Sequence, residues 1–498
     1  MHYANIILYS ILTVINYYYI LLIVQESHYH INGFVLIIKR IICNPLYYIL
    51  LIPIITLFYN NLYISIFVNI SVLIYILLKL KRKNILRLKI TPRIQRFMFL
   101  KILYLIVLIY LSIKMIISEA FIMYLSYPFV IISYYLLMPI EIIIKNYYVI
   151  KARKKINRIN PIVIGITGSA GKTTCKNILY NLLKSRYNCF MTPKSYNTDM
   201  GIARSINEEM SELTEVAIIE YGASHKYDIQ KSLRVVKPSI SLITNIGLQH
   251  LETFKSKENI VLEKTRIMKC SKVHFYNKLS SYIVDCEKSI SFSKFKGADY
   301  YLGNVKMDSR GTVFELCDNK DTYQFETKLL GENNLLNIIA CIAICRYMGL
   351  SYEYLQKEVR KLKPVSSRLE IIDKNGLLII NDSFNSNKNG FLEALKILML
   401  FEGEKALITP GVVSGGKEME AINEDIAQKI VSYGLKCYLV SSTASKYYEN
   451  VFKKENYDYE IVASFKDAYS LVRKENIKNL LIENDITDIY ERKIKWLI

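Results

Sequence analysis

The sequence predicts an α-helical membrane region followed by two α/β units built on parallel sheets. Three observations carry this expectation. Apolar residues crowd into the first 150 of the 498 positions. From Pro161 onward, short β-rich runs alternate with helical segments, the pattern of a doubly wound sheet. Between them, residues 162–174, IVIGITGSAGKTT, join an apolar strand to a glycine-broken turn and then to a helix that opens at Lys172.

The apolar region begins with residues 4–24, which carry no charge and are long enough to cross a hydrocarbon core about 30 Å thick. No basic segment precedes them and no small-residue cleavage site follows, so they read as an anchor and not a signal peptide. Residues 33–43 are apolar but include Lys39 and Arg40, which suits the interface. Further candidates are 46–59, 63–78, 97–117 and 120–144; the first of these is short and with its neighbour can instead form a hairpin dipping into the bilayer. The expected count is about five spans.

Net charge is +21, with much of the excess in two clusters, 79–101 and 145–158, beside the apolar segments. That placement fits the positive-inside rule and anionic lipid, and no nucleic-acid partner is expected. The nine cysteines form no C-x-x-C pair, which is reduced, cytosolic usage. Cys341 and Cys345, one turn apart, read as small core residues.

The glycine-broken turn is a phosphate cradle. Gly168 and Gly171 let the backbone approach an anion, with Ser169 and Ala170 between them, and the first amides of the helix at Lys172, Thr173 and Thr174 point at it. Lys172 would reach the terminal phosphates of ATP, and the Thr173 hydroxyl would hold Mg²⁺. Ile166 stands where the strict P-loop has a further glycine, so the match is to the shorter G-x-x-G-K-T-T form. A nucleotide site faces the cytosol, which puts both basic clusters there and makes the chain a multi-pass cell-membrane protein with cytoplasmic α/β units.

Residues 145–160 read as a basic linker. After it come the strand runs IVIGIT, EVAIIEYG and SISLITNIG. Residues 298–328 look antiparallel, with a turn at 308–311, and a helix follows over 334–348. Lys363-Pro364 makes a hinge, beyond which LLIINDS, KALITPGV, CYLVSS, EIVAS and NLLIEND are strands of a Rossmann-like unit. The expected domains are therefore 1–150 (membrane), 151–363 (P-loop) and 364–498 (C-terminal α/β). Glu220 follows directly on an apolar strand, where an unpaired carboxylate is costly, so it reads as functional.

The cradle has companions in a fixed order: MTPKSYNTDMGIA (191–203), IIEYGA (218–223), ITNIGLQHLETF (243–254), EKTRI (263–267), GENNLLN (331–337), PVSSRLE (364–370) and NDSFNSN (381–387). Together these resemble the Mur ligase family, most of all its D-alanyl-D-alanine-adding branch, over roughly residues 160–498. The resemblance implies that ATP and Mg²⁺ are used to phosphorylate a carboxylate before an amine attacks it. It implies catalytic roles for Lys172, Lys264 and His250. Thr173 and Glu220 would hold the Mg²⁺ that bridges the β- and γ-phosphates, and His250 and Lys264 would belong to a second metal site, with Lys264 carbamylated. Asn337 would read the adenine edge, Arg368 and Asp382 would bring the third domain onto the nucleotide, and Asn385 and Asn387 would extend that strip. Ser195, Asn197 and Thr198 would lie near the acceptor carboxylate.

Departures from the family pattern are Asn333 for a histidine, Asn381 for the first of two aspartates, Phe384 for a tyrosine, Lys388 for a proline and Ser414-Gly415 in the 409–418 loop. The apolar region stands where the resembling branch has a small UDP-gripping domain. The resemblance thus implies a membrane-anchored ATP-dependent amide ligase of cell-wall peptidoglycan precursor synthesis. Its acceptor would be a cell-wall precursor or other carboxylate, lipid-linked in one version, and its donor an amino acid or peptide amine. Alternatives are a poly-γ-glutamate or folylpolyglutamate-like synthetase, a membrane P-loop ATPase that forms no bond, and a member that binds nucleotide without catalysis. An ATPase has no use for the 333–387 strip.

Overall fold

The computed structural model describes residues 2–26, 71, 88–117, 122, 125–247, 251–279, 288–384, 387–412 and 418–483. It divides into two compact units, 1–146 and 147–498.

In the first unit, α1 (His2–Glu26), α2 (Pro92–Ile113) and the start of α3 (Ser126–Ile159) are described. Helix α2 starts five residues before the expected span at Phe97, because Thr91 caps it by accepting from Ile94 N at 3.3 Å and Pro92 supplies a preset first-turn φ. Among the described residues α2 alone is long and apolar enough to cross a bilayer; a shorter apolar stretch, 9–22, lies in α1. The interfacial segment 33–43, the expected span 46–59 and, but for residue 71, the expected span 63–78 fall outside the described residues.

The supposed basic linker is instead helical through Ile159. Ala152 and Ile156 are buried against Val163, Phe190 and Ile202, with Val149 and Ile159 packed beside them. That is an i, i+3, i+7, i+10 stripe. The lysines and arginines that suggested a linker lie on the other face.

The second unit holds a nine-stranded sheet in the order β2-β3-β1-β4-β5-β6-β7-β8-β9. Its strands are β1 (Ile162–Thr167), β2 (Cys189–Met191), β3 (Val216–Glu220), β4 (Ile240–Ile243), β5 (Val273–Asn277), β6 (Ser289–Ser293), β7 (Tyr300–Asp308), β8 (Gly311–Asp318) and β9 (Thr322–Thr327). Pairing is parallel as far as β7 and antiparallel for β7–β8–β9, which matches the expected change of pattern near residue 298. Strands β3 and β4 are buried at every position, as a parallel strand covered on both faces requires. The covering helices are α4 (Lys172–Leu183), α5 (Asp199–Glu209), α6 (Asp228–Leu233), α7 (Leu251–Phe254), α8 (Lys257–Thr265), α9 (Glu332–Tyr347) and α10 (Tyr352–Arg360). Helices α4 and α9 meet through Cys175 and Cys341, whose Sγ lies 3.5 Å from the Cys175 carbonyl; small side chains there let the helices approach.

The second sheet has the order β10-β11-β15-β12-β13-β14, from β10 (Glu370–Lys374), β11 (Leu377–Asp382), β12 (Lys405–Thr409), β13 (Lys436–Val440), β14 (Tyr459–Val462) and β15 (Asn479–Glu483). It is parallel except for the β10–β11 hairpin. Helices α11 (Lys388–Leu398), α12 (Met419–Tyr433), α13 (Ser445–Lys454) and α14 (Phe465–Lys474) cover its faces. All five strand runs expected after residue 364 are present.

Candidate active site

Strand β1 ends at Thr167 and the chain turns through Gly168 (φ 153°) and Gly171 (φ 82°) into α4. Both glycines are required by space as well as by φ. A Cβ on Gly168 would stand 2.0 Å from Thr244 Oγ1, and one on Gly171 2.5 Å from Asn337 Oδ1. The turn is tied to the end of β4: Ser169 N donates to Asn245 O at 2.7 Å, Gly247 N donates to Ser169 Oγ at 2.8 Å, and Thr244 Oγ1 donates to Ala170 O. The result is a preformed cradle at the carboxyl end of the sheet, where ligands of such folds sit. Thr174 is buried in the first turn of α4.

Lys172 Nζ folds back over the loop, donating to Gly168 O at 2.7 Å and Ser169 O at 3.2 Å. Burial pushes its pKa down and the Arg368 charge adds to this, while Glu220 opposes both. Lys264 joins it from α8, donating to the same Gly168 carbonyl at 2.9 Å, and is 2% exposed. Burial, then the Lys172 charge, holds the Lys264 amine well below its ordinary pKa. What fixes α8 is Glu263, which sequence reasoning passed over. Its carboxylate accepts from Tyr227 N at 2.9 Å and Ile229 N at 2.8 Å, capping α6 in place of a side chain on the cap residue, and pairs with Arg266 at 2.9 Å.

Glu220, at the end of β3, is the centre of a buried polar set. Thr173 Oγ1 lies 3.0 Å from its Oε2, Asn197 Nδ2 donates to Oε1 at 3.1 Å, and Lys176 Nζ stands 3.1 Å from Oε2. Both Lys176 and Glu220 are 1% exposed. Burial works to raise the Glu220 pKa, yet Lys176 and Lys172 outweigh it, with help from the Asn197 bond, and hold it below the ordinary carboxylate value. Lys176 also donates to Lys194 O, so it links this carboxylate to the 191–198 loop. Its place four residues after Lys172 on one helix face was the signal available in the sequence. Asn197 serves Glu220, and Thr198 caps α5 by accepting from Gly201 N at 3.2 Å; Ser195 is exposed.

Arg368 arrives from the second sheet's side. Its Nη2 donates to Thr173 Oγ1 at 3.3 Å, and its guanidinium lies 4.5 Å from the Phe384 ring centroid, so a phenyl serves here where the family has a tyrosine. Ser367 (φ 61°) and Leu369 (φ 49°) flank it in the left-handed region, costing of order 1–2 kcal/mol each. Asp382 Oδ1 anchors the turn by accepting from Leu369 N at 3.1 Å, and burial pushes its pKa up to about 6. Asn337 lies against Gly171 and takes the Cys175 thiol on Oδ1 at 3.2 Å. Asn333 donates its backbone N–H to Glu393 Oε1 at 2.8 Å, a structural use of the position where the family has a histidine. Asn387 caps α11, accepting from Gly390 N at 3.0 Å. His250, Asn385 and 413–417, which include Ser414-Gly415, lie outside the described residues.

The donor set fits a nucleoside triphosphate with Mg²⁺. A hard cation bridging phosphates needs few protein oxygens, and Thr173 Oγ1 beside an ionised Glu220 supplies them. The cradle is closed to any side chain at Gly168 and Gly171, leaving its amides for phosphate.

Fold and site define a P-loop nucleotide-binding α/β protein in which a second doubly wound sheet delivers an arginine to the cradle. Residues 166–345 match the Mur ligase middle domain. The chain is 31% identical over 283 residues to the UDP-N-acetylmuramoyl-tripeptide–D-alanyl-D-alanine ligase of Borreliella burgdorferi, covering 54% of this chain and 60% of that protein. It is 31% identical over 304 residues to the same ligase of Bacillus subtilis, covering 58% and 66%. It thus spans about two thirds or less of the length of these curated relatives. Among solved structures, MurF from Thermotoga maritima in complex with ADP superposes with a TM-score of 0.61 at 24% identity, over 71% of this chain and 85% of that one, a likeness of fold. The chain belongs to the Mur ligase family.

Proposed function

We propose that the chain is an ATP-dependent, ADP-forming amide ligase of peptidoglycan precursor synthesis, held at the cytoplasmic face of the cell membrane. The observation that carries the ligase reading is Arg368 meeting Thr173 beside Glu220. A transferring phosphoryl group between Lys172, Arg368 and the cradle amides would have its charge met from three sides. Thr173 and Glu220 would hold Mg²⁺, which would supply positive charge against the phosphates. The acceptor carboxylate takes the γ-phosphoryl group, giving an acyl phosphate and ADP; the donor amine then attacks the acyl carbon and releases phosphate. Lys176, through Lys194 O, keeps the 191–198 loop beside the reacting phosphate, where the acceptor would lie.

The relatives' names point to a UDP-N-acetylmuramoyl tripeptide as acceptor and D-alanyl-D-alanine as donor. Membrane anchoring is supported by the uncharged residues 4–24 and by α2, which turns Phe99, Ile106, Val107 and Tyr110 outward. Lipid-bearing and UDP-bearing acceptors are both compatible with it.

The test is ADP and phosphate release by the full-length protein in detergent. ADP formation should require an acceptor carboxylate and product formation both substrates, with the tripeptide and its lipid-linked counterpart compared side by side. ATP hydrolysis that neither substrate changes would instead make the chain a membrane ATPase.

A further inference from the structure

At the end of the nine-stranded sheet opposite the cradle lies a cleft of about 790 Å³, between the end of α3, the end of α6 and the segments that lead into β1, β4 and β5. Strand β1 separates the two sites by roughly 20 Å, six residues at about 3.3 Å each, so the cleft takes no part in phosphoryl transfer. Six cations line it: Arg153, Arg234, Lys237, Arg266, Lys269 and Lys272; no carboxylate does. Arg266 is paired with Glu263. The side chains of the other five make no ion pair or hydrogen bond among the described residues. They are therefore not spent on capping the nearby helix ends, the ordinary use of a cation there. Five uncompensated charges around one concavity repel each other and lower their energy when an anion enters.

What distinguishes the anion is the surface next to it. Tyr147 and Ile150, six and three residues before Arg153 on α3, are 61% and 54% exposed. An aromatic and an aliphatic side chain facing water directly ahead of a basic cluster is the pattern of a segment lying at a headgroup layer. A soluble anion would have no use for them. We propose that this cleft binds the phosphates of anionic phospholipid headgroups and so seats the catalytic unit on the bilayer surface. The inference rests on the membrane placement proposed above, but adds a second contact to it, made by the α/β unit itself.

The experiment removes detergent from the full-length protein in the presence of vesicles of phosphatidylcholine alone or with added phosphatidylglycerol. Acetylation rates of Lys237, Lys269 and Lys272 are then read by mass spectrometry against exposed Lys357. Each cation at an anionic surface contributes about fivefold in partitioning. Phosphatidylglycerol should therefore slow labelling of the three lysines by about fivefold or more, an effect lost at high salt and weakened in Arg153→Gln/Arg234→Gln. Equal rates in the two vesicles overturn the proposal. So does protection by inorganic pyrophosphate in phosphatidylcholine vesicles with none from phosphatidylglycerol, which would make the cleft a site for a soluble anion. Protein that fails to enter phosphatidylcholine vesicles counts against the spans alone. In that event recruitment to phosphatidylglycerol vesicles, with the lysines protected, still upholds the cleft, and its failure overturns it.

Discussion

Lys264 Nζ donates to the carbonyl of Gly168 at 2.9 Å, which places an amine 96 residues away in sequence directly on the phosphate cradle. Because burial and Lys172 depress its pKa, its neutral form is accessible, and a neutral amine is the form that reacts with CO₂. Lys264→Ala should lose most ligase activity, and small carboxylates in the buffer should restore part of it by supplying negative oxygens in the vacated space. Lys264→Arg should not be restored, since a permanent cation fills that space. Near wild-type turnover of Lys264→Ala in CO₂-depleted buffer would refute a carbamate.

The same depression has a signature in stability. A lysine whose folded pKa is lowered binds fewer protons folded than unfolded, so its penalty is full below the folded pKa and fades as pH rises toward about 10.4. Lys264→Met should therefore raise the melting temperature of the nucleotide-free protein at neutral pH, by an amount that shrinks in alkaline buffer. A carbamylated Lys264 would give the opposite sign at neutral pH, and thermal melts at several pH values distinguish the two.

Glu220 and Lys176 form a buried pair, and removing one member leaves the other without its counter-charge. Glu220→Ala should cost about 3–5 kcal/mol in denaturant unfolding. Adding Lys176→Met should recover a large part of that stability while leaving Mg²⁺-dependent nucleotide binding lost. Additive losses in the double variant would show that the pair is not coupled.

Arg368 is expected to act on the reacting phosphate more than on nucleotide affinity. Arg368→Ala should lower kcat by about 10²–10³-fold, with a much smaller change in the KM for ATP. Arg368→Lys should recover little, because the Thr173 bond and the Phe384 face both use the planar guanidinium.

Asp382 gives a pH dependence of known sign. Its pKa rises from 3.8 to about 6 on folding, so the folded state binds more protons across that window and stability falls as pH rises through it. Asp382→Asn should flatten the slope of unfolding free energy between those two pH values. An unchanged slope would show that Asp382 is not the titrating group.

Much of this site was readable from the chain because a parallel sheet puts its functional residues at strand ends. Gly168, Glu220 and Thr244 stand at the ends of apolar runs, which themselves located the strands, and Thr173 follows the glycine turn that the first run leads into. Residues 145–160 were misread because charge density was weighed above periodicity, although Val149, Ala152 and Ile156 carry a helical stripe. The roles of Glu263 and Glu393 were hidden for another reason. Each acts on a partner more than 30 residues away, and long-range hydrogen bonding leaves no local pattern. The short strands β2 and β6 are set by sheet pairing rather than by their own composition.

Cys175, in the first turn of α4, and Cys341, packed against it from α9, are both 0% exposed, and burial pushes the Cys341 thiol well above its ordinary pKa. Among the described residues, an electrophilic inhibitor that enters the nucleotide site would find these thiols sealed from it by burial. The nucleophiles within its reach are amines, Lys172 and Lys264, whose depressed pKa values favour acylation over thiol alkylation. Covalent ligands for this site should therefore be built on lysine-directed warheads such as sulfonyl fluorides or salicylaldehydes, with acrylamides left aside.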